Sequence, residues 1–250
     1  MAIKRIESFD HWVTADAPKK GWTFNNASVV INAGTGRNGT AALRNNVAVS
    51  SSSFAVLGAS NGGRIGVIGF ALRVPTLSGD TQVVHVMEGG VYHLSLGYLS
   101  TGALRVYRGN ALAVLGTSVA TPIAASTYYF VEFAFTIHGT TGTYDVRVNG
   151  VSVVSGSGAN TQVAGTGIWN GFRWWGGQFG GGVNEIDDLY IADDLTFRGD
   201  HRIVCLLPST GNGTHAAWTP STGTDHGALV DDASPNITDY VSTQGAGYVD

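Results

Sequence analysis

The stretch Trp169-Asn170-Gly171-Phe172-Arg173-Trp174-Trp175-Gly176-Gly177-Gln178 concentrates residue types that bind sugars. An aromatic ring stacks on the apolar face of a pyranose while a neighbouring guanidinium or amide bonds its hydroxyls. Successive side chains of a strand point to opposite faces, so Trp174 and Trp175 cannot both enter one core. Trp169, Arg173, Trp174, Trp175 and Gln178 are therefore candidate ligand-binding residues. The competing reading buries these aromatics beneath the glycine-rich run 176–182 or in a subunit contact.

Other chemistry is weaker. Glycoside hydrolysis needs two carboxyl groups across one bond. Glu185-Ile186-Asp187 resembles the start of an acidic strand motif, but Leu189 and Tyr190 stand where the proton donor belongs. The only glutamates are Glu7, Glu88, Glu132 and Glu185, and no two lie close in sequence. The expectation is a chain without catalytic residues, not an enzyme. Asp187 and Asp188 offer hard oxygen ligands that suit calcium, with Asp193 and Asp194 nearby. On a regular strand, however, Asp187 and Asp188 point to opposite faces. A structural calcium is thus the one cofactor considered; aspartates that fix a turn or strand edge are the competing reading. His85 and His93 could meet across a hairpin turning at Glu88-Gly89-Gly90, as a metal pair or as hydrogen-bonded sheet neighbours.

The elements that must position these residues are strands. Tyr129, Val131, Phe133, Phe135 and Ile137 share one apolar face, with Glu132, Thr136 and His138 on the other. Tyr144, Val146 and Val148 repeat the period, and Asn149-Gly150 predicts a type I′ hairpin. Further strands are predicted over 28–32, 41–49, 52–57, 65–74, 81–87, 91–98, 104–107, 168–175 and 185–192. Many short strands between Gly, Asn, Asp and Ser turns predict an all-β chain, two antiparallel sheets stacked as a jelly-roll sandwich. A change of composition divides residues 1–198, the sandwich, from 199–250. The latter hold six acidic residues against Arg202 alone and predict an extended arm or small docking module.

Bulk properties exclude several classes. The chain has 250 residues, 43% of them hydrophobic and 13% charged, so it can bury a core. Net charge is −4 and no basic cluster stands out, which argues against nucleic acid as a partner. No apolar run reaches membrane-spanning length. The lone Cys205 can form no intramolecular disulfide. The opening residues lack an apolar signal core, so folding in a reducing cytoplasm is expected.

Three stretches carry a family resemblance. Glu7-Ser8-Phe9-Asp10-His11-Trp12, followed by Gly36-Arg37-Asn38-Gly39-Thr40-Ala41-Ala42-Leu43-Arg44, resembles the start of concanavalin A-like lectin/glucanase domains encoded by bacteriophages. Ile186-Asp187-Asp188-Leu189-Tyr190-Ile191 resembles the closing strand of that domain. Gly199-Asp200-His201-Arg202-Ile203, with Trp218-Thr219-Pro220 and Thr238-Asp239-Tyr240-Val241, resembles the module that follows it in tail- and head-associated proteins. The resemblance implies a virion structural protein: decoration, fibre or spike. Its implied partners are other virion proteins, further copies of itself, by analogy in a trimer, and a host-surface glycan. A carbohydrate-binding receptor module for host adsorption is the alternative function.

Overall fold

The computed structural model describes residues 3–25, 27–46, 53–58, 63–110, 113–176, 182–203, 218–220 and 241–243; for 53–58, 218–220 and 241–243 the backbone alone is described. The strands are β1 (Ile3–Glu7), β2 (Trp22–Phe24), β3 (Val29–Asn32), β4 (Ala42–Asn45), β5 (Ser53–Gly58), β6 (Ile65–Arg73), β7 (Thr81–Glu88), β8 (Val91–Tyr98) and β9 (Leu104–Arg108). They continue as β10 (Ala113–Thr117), β11 (Tyr128–Thr136), β12 (Gly142–Val148), β13 (Val151–Ala159), β14 (Gly171–Gly176), β15 (Asn184–Ala192), β16 (Trp218–Pro220) and β17 (Val241–Thr243). The first sheet runs β13-β12-β11-β6-β15-β4-β3, with β1 also on β15; the second runs β10-β9-β8-β7-β14-β5-β2. Their pairings are antiparallel. The fold is the expected all-β sandwich of jelly-roll type.

Alternation explains the core. Ile68, Phe70 and Leu72 of β6 and Val131, Phe133 and Phe135 of β11 face Val84, Val86, Leu94, Leu96, Val106, Phe172 and Trp174 of the second sheet. All are buried. Asn149 (φ 48°) and Gly150 (φ 83°) make the β12–β13 turn in the left-handed region, as the Asn-Gly pair predicts. The opening motif is structural: Phe9 and Trp12 join the core. The Trp12 indole donates to Glu7 at 3.0 Å, and Asp10 accepts from the Ala41 amide at 3.0 Å.

Five strands lie outside the sequence expectation: β1, β2, β10 and, in the tail, β16 and β17. β1 reads Ile-Lys-Arg-Ile-Glu without clean alternation, β2 is only three residues long, and β10 is an edge strand. A predicted strand over 168–175 begins instead at Gly171, because the Trp169 and Asn170 amides bond the Gly63 and Met87 carbonyls outside strand geometry. In the tail, β16 and β17 pair antiparallel.

The outward face of the first sheet is also buried. Phe130, Ala134, Val67, Ala71 and Tyr190 form a second apolar cluster with Phe197 packed on it. The His201 ring lies 5.2 Å from that of Phe130 and 5.1 Å from that of Tyr190. One oxygen of buried Glu132 accepts from the Tyr190 hydroxyl (2.5 Å) and the amides of Arg198 (2.8 Å) and Gly199 (3.0 Å). The chain leaving β15 is thus strapped along this sheet as far as Ile203, whose amide donates to Asp188.

Candidate functional site

The second sheet carries a polar centre on the face turned away from the core. On β14, Phe172 and Trp174 enter the core, so Arg173 and Trp175 project to the opposite side. Arg173 is in register with His85 of β7, His85 with Ser95 of β8, and Ser95 with Tyr107 of β9. One cross-strand rung therefore reads Arg173–His85–Ser95–Tyr107.

A β-bulge adds Gln82 to this face. The β7–β8 register shifts between Gln82 and Val84, so Val83 and Val84 both join the core. Gln82 then stands opposite Gly97, two residues from Ser95, on the same side as His85. Gly97 permits the close approach: a Cβ there would lie 2.5 Å from the Thr81 carbonyl oxygen.

The hydrogen bonds assign a tautomer to His85. Ser95 Oγ donates its single hydrogen to the Gly109 carbonyl at 2.6 Å. The same oxygen lies 2.6 Å from His85 Nδ1 and must there accept, so Nδ1 carries the proton. Nε2 is left with a lone pair and, among the described residues, no partner. Burial, with the Arg173 charge second, lowers the imidazole pKa to about 3, so the ring is neutral. Gln82, 1% exposed, has neither amide atom bonded to any described residue. Buried polar groups are normally paired, and leaving one unpaired costs about 1–3 kcal/mol.

Aromatic rings enclose this centre. Tyr92 and Trp175 lie with ring centroids 5.0 and 5.3 Å from that of His85. The Arg173 guanidinium sits 3.8 Å from the Trp175 ring centroid and donates to the Tyr92 hydroxyl. Beyond Ser95, Asp80 accepts from Arg105 at 3.0 Å and from the Tyr107 hydroxyl, which neutralises that end. Exposure grows from His85 and Gln82 outward to half-buried Tyr92 and Arg105.

The sequence-derived candidates separate sharply. Trp169 and Trp174 are core residues, 0% exposed, and cannot stack on a sugar. Trp169 donates to the Ile65 carbonyl and packs on Phe172, while Trp174 packs on Trp22 at 5.2 Å. Arg173 and Trp175 reach the outward face but are largely buried, at 9% and 6% exposure. Gln178 lies outside the described residues. Gln82 was missed because a bulge reverses the alternation that would have placed it. Tyr92, Ser95 and Tyr107 were missed because their register with β14 is a tertiary fact.

The histidines do not converge on a metal. The hairpin forms as expected, but His85 faces Ser95, whereas His93 pairs with Glu88 at 3.0 Å. Asp187 and Asp188 belong to the other sheet. The register shifts between Asp187 and Tyr190, and Asp188 has φ 48°, so simple alternation fails here. Both aspartates turn to the same loops: Asp187 accepts from the Arg37 amide (2.8 Å) and Thr40 hydroxyl (3.2 Å), while Asp188 lies 3.5 Å from the Arg37 guanidinium. Burial first, then the Asp188 charge, raises the Asp187 pKa to about 7. Among the described residues no group of three or more His, Cys, Asp or Glu is arranged to hold a metal ion. Glu185 is buried between Arg44 (3.2 Å) and Arg73 (2.5 Å) and does not face Asp187 across a cleft.

The fold and this face define a jelly-roll sandwich with an aromatic-lined polar centre on one sheet. No family model and no curated protein matches the sequence. Solved structures similar in fold include the alginate lyase Aly36B (12% identity, TM-score 0.49, covering 78% of this chain and 98% of that one). Others are an endo-β-1,4-glucuronan lyase from the fungus Trichoderma reesei (14%, 0.48, 76% and 95%) and a carbohydrate esterase from the Shiga toxin-encoding bacteriophage phi24B (13%, 0.48, 75% and 98%). These structures are enzymes, which overturns the expectation of a non-enzymatic chain.

Proposed function

We propose that the outward face of the second sheet binds a saccharide. The supporting observation is the cluster over buried Gln82 and His85: half-buried Tyr92, with Arg173 and Trp175, reaches the outward face beside them. Tyr92 and Trp175 flank them with the aromatic surface that sugar rings pack against. In this reading the chain is the carbohydrate-facing part of a bacteriophage particle, assembled with other virion proteins and copies of itself. The particle setting rests on the phage-like stretches at residues 7–12, 36–44, 186–191 and 199–203.

The test is a glycan-array screen of the wild type against Gln82→Leu and Trp175→Ala, with thermal melts as the folding control. Trp175→Ala is expected to lose binding, whereas Gln82→Leu, which removes only unpaired polar atoms beneath that face, should melt no lower than the wild type. Equal, absent binding by all three proteins removes the proposal. Imaging intact particles for this chain's density tests the setting separately.

A further inference from the structure

We infer that residues 197–203 occupy a peptide-binding groove on the outward face of the first sheet, and that the same segment of a second copy takes their place when copies join by exchange; this rests on the reading above that copies of the chain assemble. The floor of the groove is Val67, Ala71, Phe130, Ala134 and Tyr190, all buried although they face away from the sandwich core. An apolar face of this kind needs a cover. Phe197 supplies it, packed on this floor with the Arg147 guanidinium 3.8 Å from its ring centroid. Asp145 holds Arg147 in place at 3.2 Å. One oxygen of Glu132 reads two successive amides, those of Arg198 and Gly199. Gly199 sits at φ 75°, a conformation that glycine alone adopts freely. At the far end Arg37 forks onto Asp200 at 2.6 and 2.7 Å, and Asp188 accepts from the Ile203 amide at 2.7 Å. An aromatic anchor, an acceptor set on successive amides and a terminal ion pair are the means by which grooves select peptides.

This segment detaches without breaking either sheet. Residues 197–203 belong to no strand and, among the described residues, make no backbone–backbone hydrogen bond. Their bonds to the sheet and its loops pass through the side chains of Glu132, Tyr190, Asp188 and Arg37. They stay half-buried or exposed while the floor beneath is closed. The hinge from β15 is only residues 193–196. Asp194 holds it shut, accepting from the Thr196 amide at 2.8 Å and from the Arg198 guanidinium at 2.6 and 2.8 Å. Short hinges favour exchange with a neighbour once they open. The occupant is fixed by identity, since every copy carries Phe197-Arg198-Gly199-Asp200-His201-Arg202-Ile203, and exchange reproduces each contact. In a lone chain the tethered segment holds the groove by its high effective concentration, so exchange belongs to crowded copies.

The experiment uses the full chain in two complementary variants. Gly199→Pro removes one of the two amides and the positive φ, so it empties the groove while lying outside both sheets. Phe197→Ser, which removes the anchor from the same segment, is run beside it. Glu132→Gln weakens the groove and keeps the segment intact. A fluorescent peptide spanning Leu195–Ile203 is titrated into each. It should bind Gly199→Pro and Phe197→Ser at least about tenfold tighter than the wild type, whose groove is occupied, and the gain should vanish when Glu132→Gln is added to either. Mixing Gly199→Pro with Glu132→Gln pairs an intact groove with an intact segment. Light scattering should show dimers in the mixture and monomers of each variant alone, with tryptic cleavage at Arg198 of the Glu132→Gln chain slowed on mixing. A peptide that favours neither emptied groove over the wild type, or a mixture that stays monomeric, overturns the inference. The glycan array reads the opposite sheet, so the saccharide reading stands or falls apart from this result.

Discussion

Replacing His85 with Gln should tilt the pH dependence of stability in a direction set by its buried neutral ring. In the unfolded chain the imidazole titrates near 6.5; in the fold, at about 3. Between these values the unfolded state holds a proton that the folded state lacks, so His85 makes stability rise with pH. That contribution is complete above about pH 6.5 and is lost as pH falls toward 3. Asp187 works in the opposite sense. Its pKa rises from 3.8 to about 7, chiefly by burial, so the folded state holds the extra proton and stability falls as pH increases through that window. Asp188, also raised by burial, acts in the same direction as Asp187. Each full proton difference is worth about 1.4 kcal/mol per pH unit. Between pH 4.5 and 6 the His85 slope opposes those of Asp187 and Asp188. His85→Gln removes the rising slope. The wild-type advantage over the variant should therefore grow by about 2 kcal/mol from pH 4.5 to 6. Asp187→Asn should reverse the trend by a similar amount. Urea unfolding at half-unit pH steps, with a constant m-value, measures this directly. Parallel profiles for His85→Gln and wild type would refute the buried neutral ring, and with it the free lone pair at Nε2.

Two further outcomes follow from the packing. Gly97→Ala places a Cβ 2.5 Å from the Thr81 carbonyl at the bulge; it should lower stability by about 1–3 kcal/mol in denaturant melts. Glu132→Gln weakens the acceptor shared by Tyr190, Arg198 and Gly199, so tryptic cleavage at Arg198 and Arg202 should speed up while the core melt changes less.

Much of the scaffold is legible in the sequence. Period-two alternation at β11 and β12 identifies both strand and inward face, because a strand buried on one side must alternate. The Asn149-Gly150 turn is legible for a similarly local reason: few residue pairs accept two left-handed conformations in succession. Alternation also requires that Trp174 and Trp175 separate, and they do. It is silent on which of the two enters the core.

Tertiary structure decided the site. The rung Arg173–His85–Ser95–Tyr107 joins four strands whose order, β14-β7-β8-β9, is not a sequence order. Irregularities mattered most: the bulge at Val83 brings Gln82 beside His85, and the bulge after Asp187 turns both aspartates toward Arg37. A one-residue insertion in a ladder reverses every facing beyond it, and whether it forms depends on how the neighbouring strand leaves room for it, as at Gly97. Composition and periodicity determined a β-sandwich with a polar, aromatic stretch. The choice of His85 and Gln82 as its centre came from cross-strand register, which is settled only when the whole sheet packs.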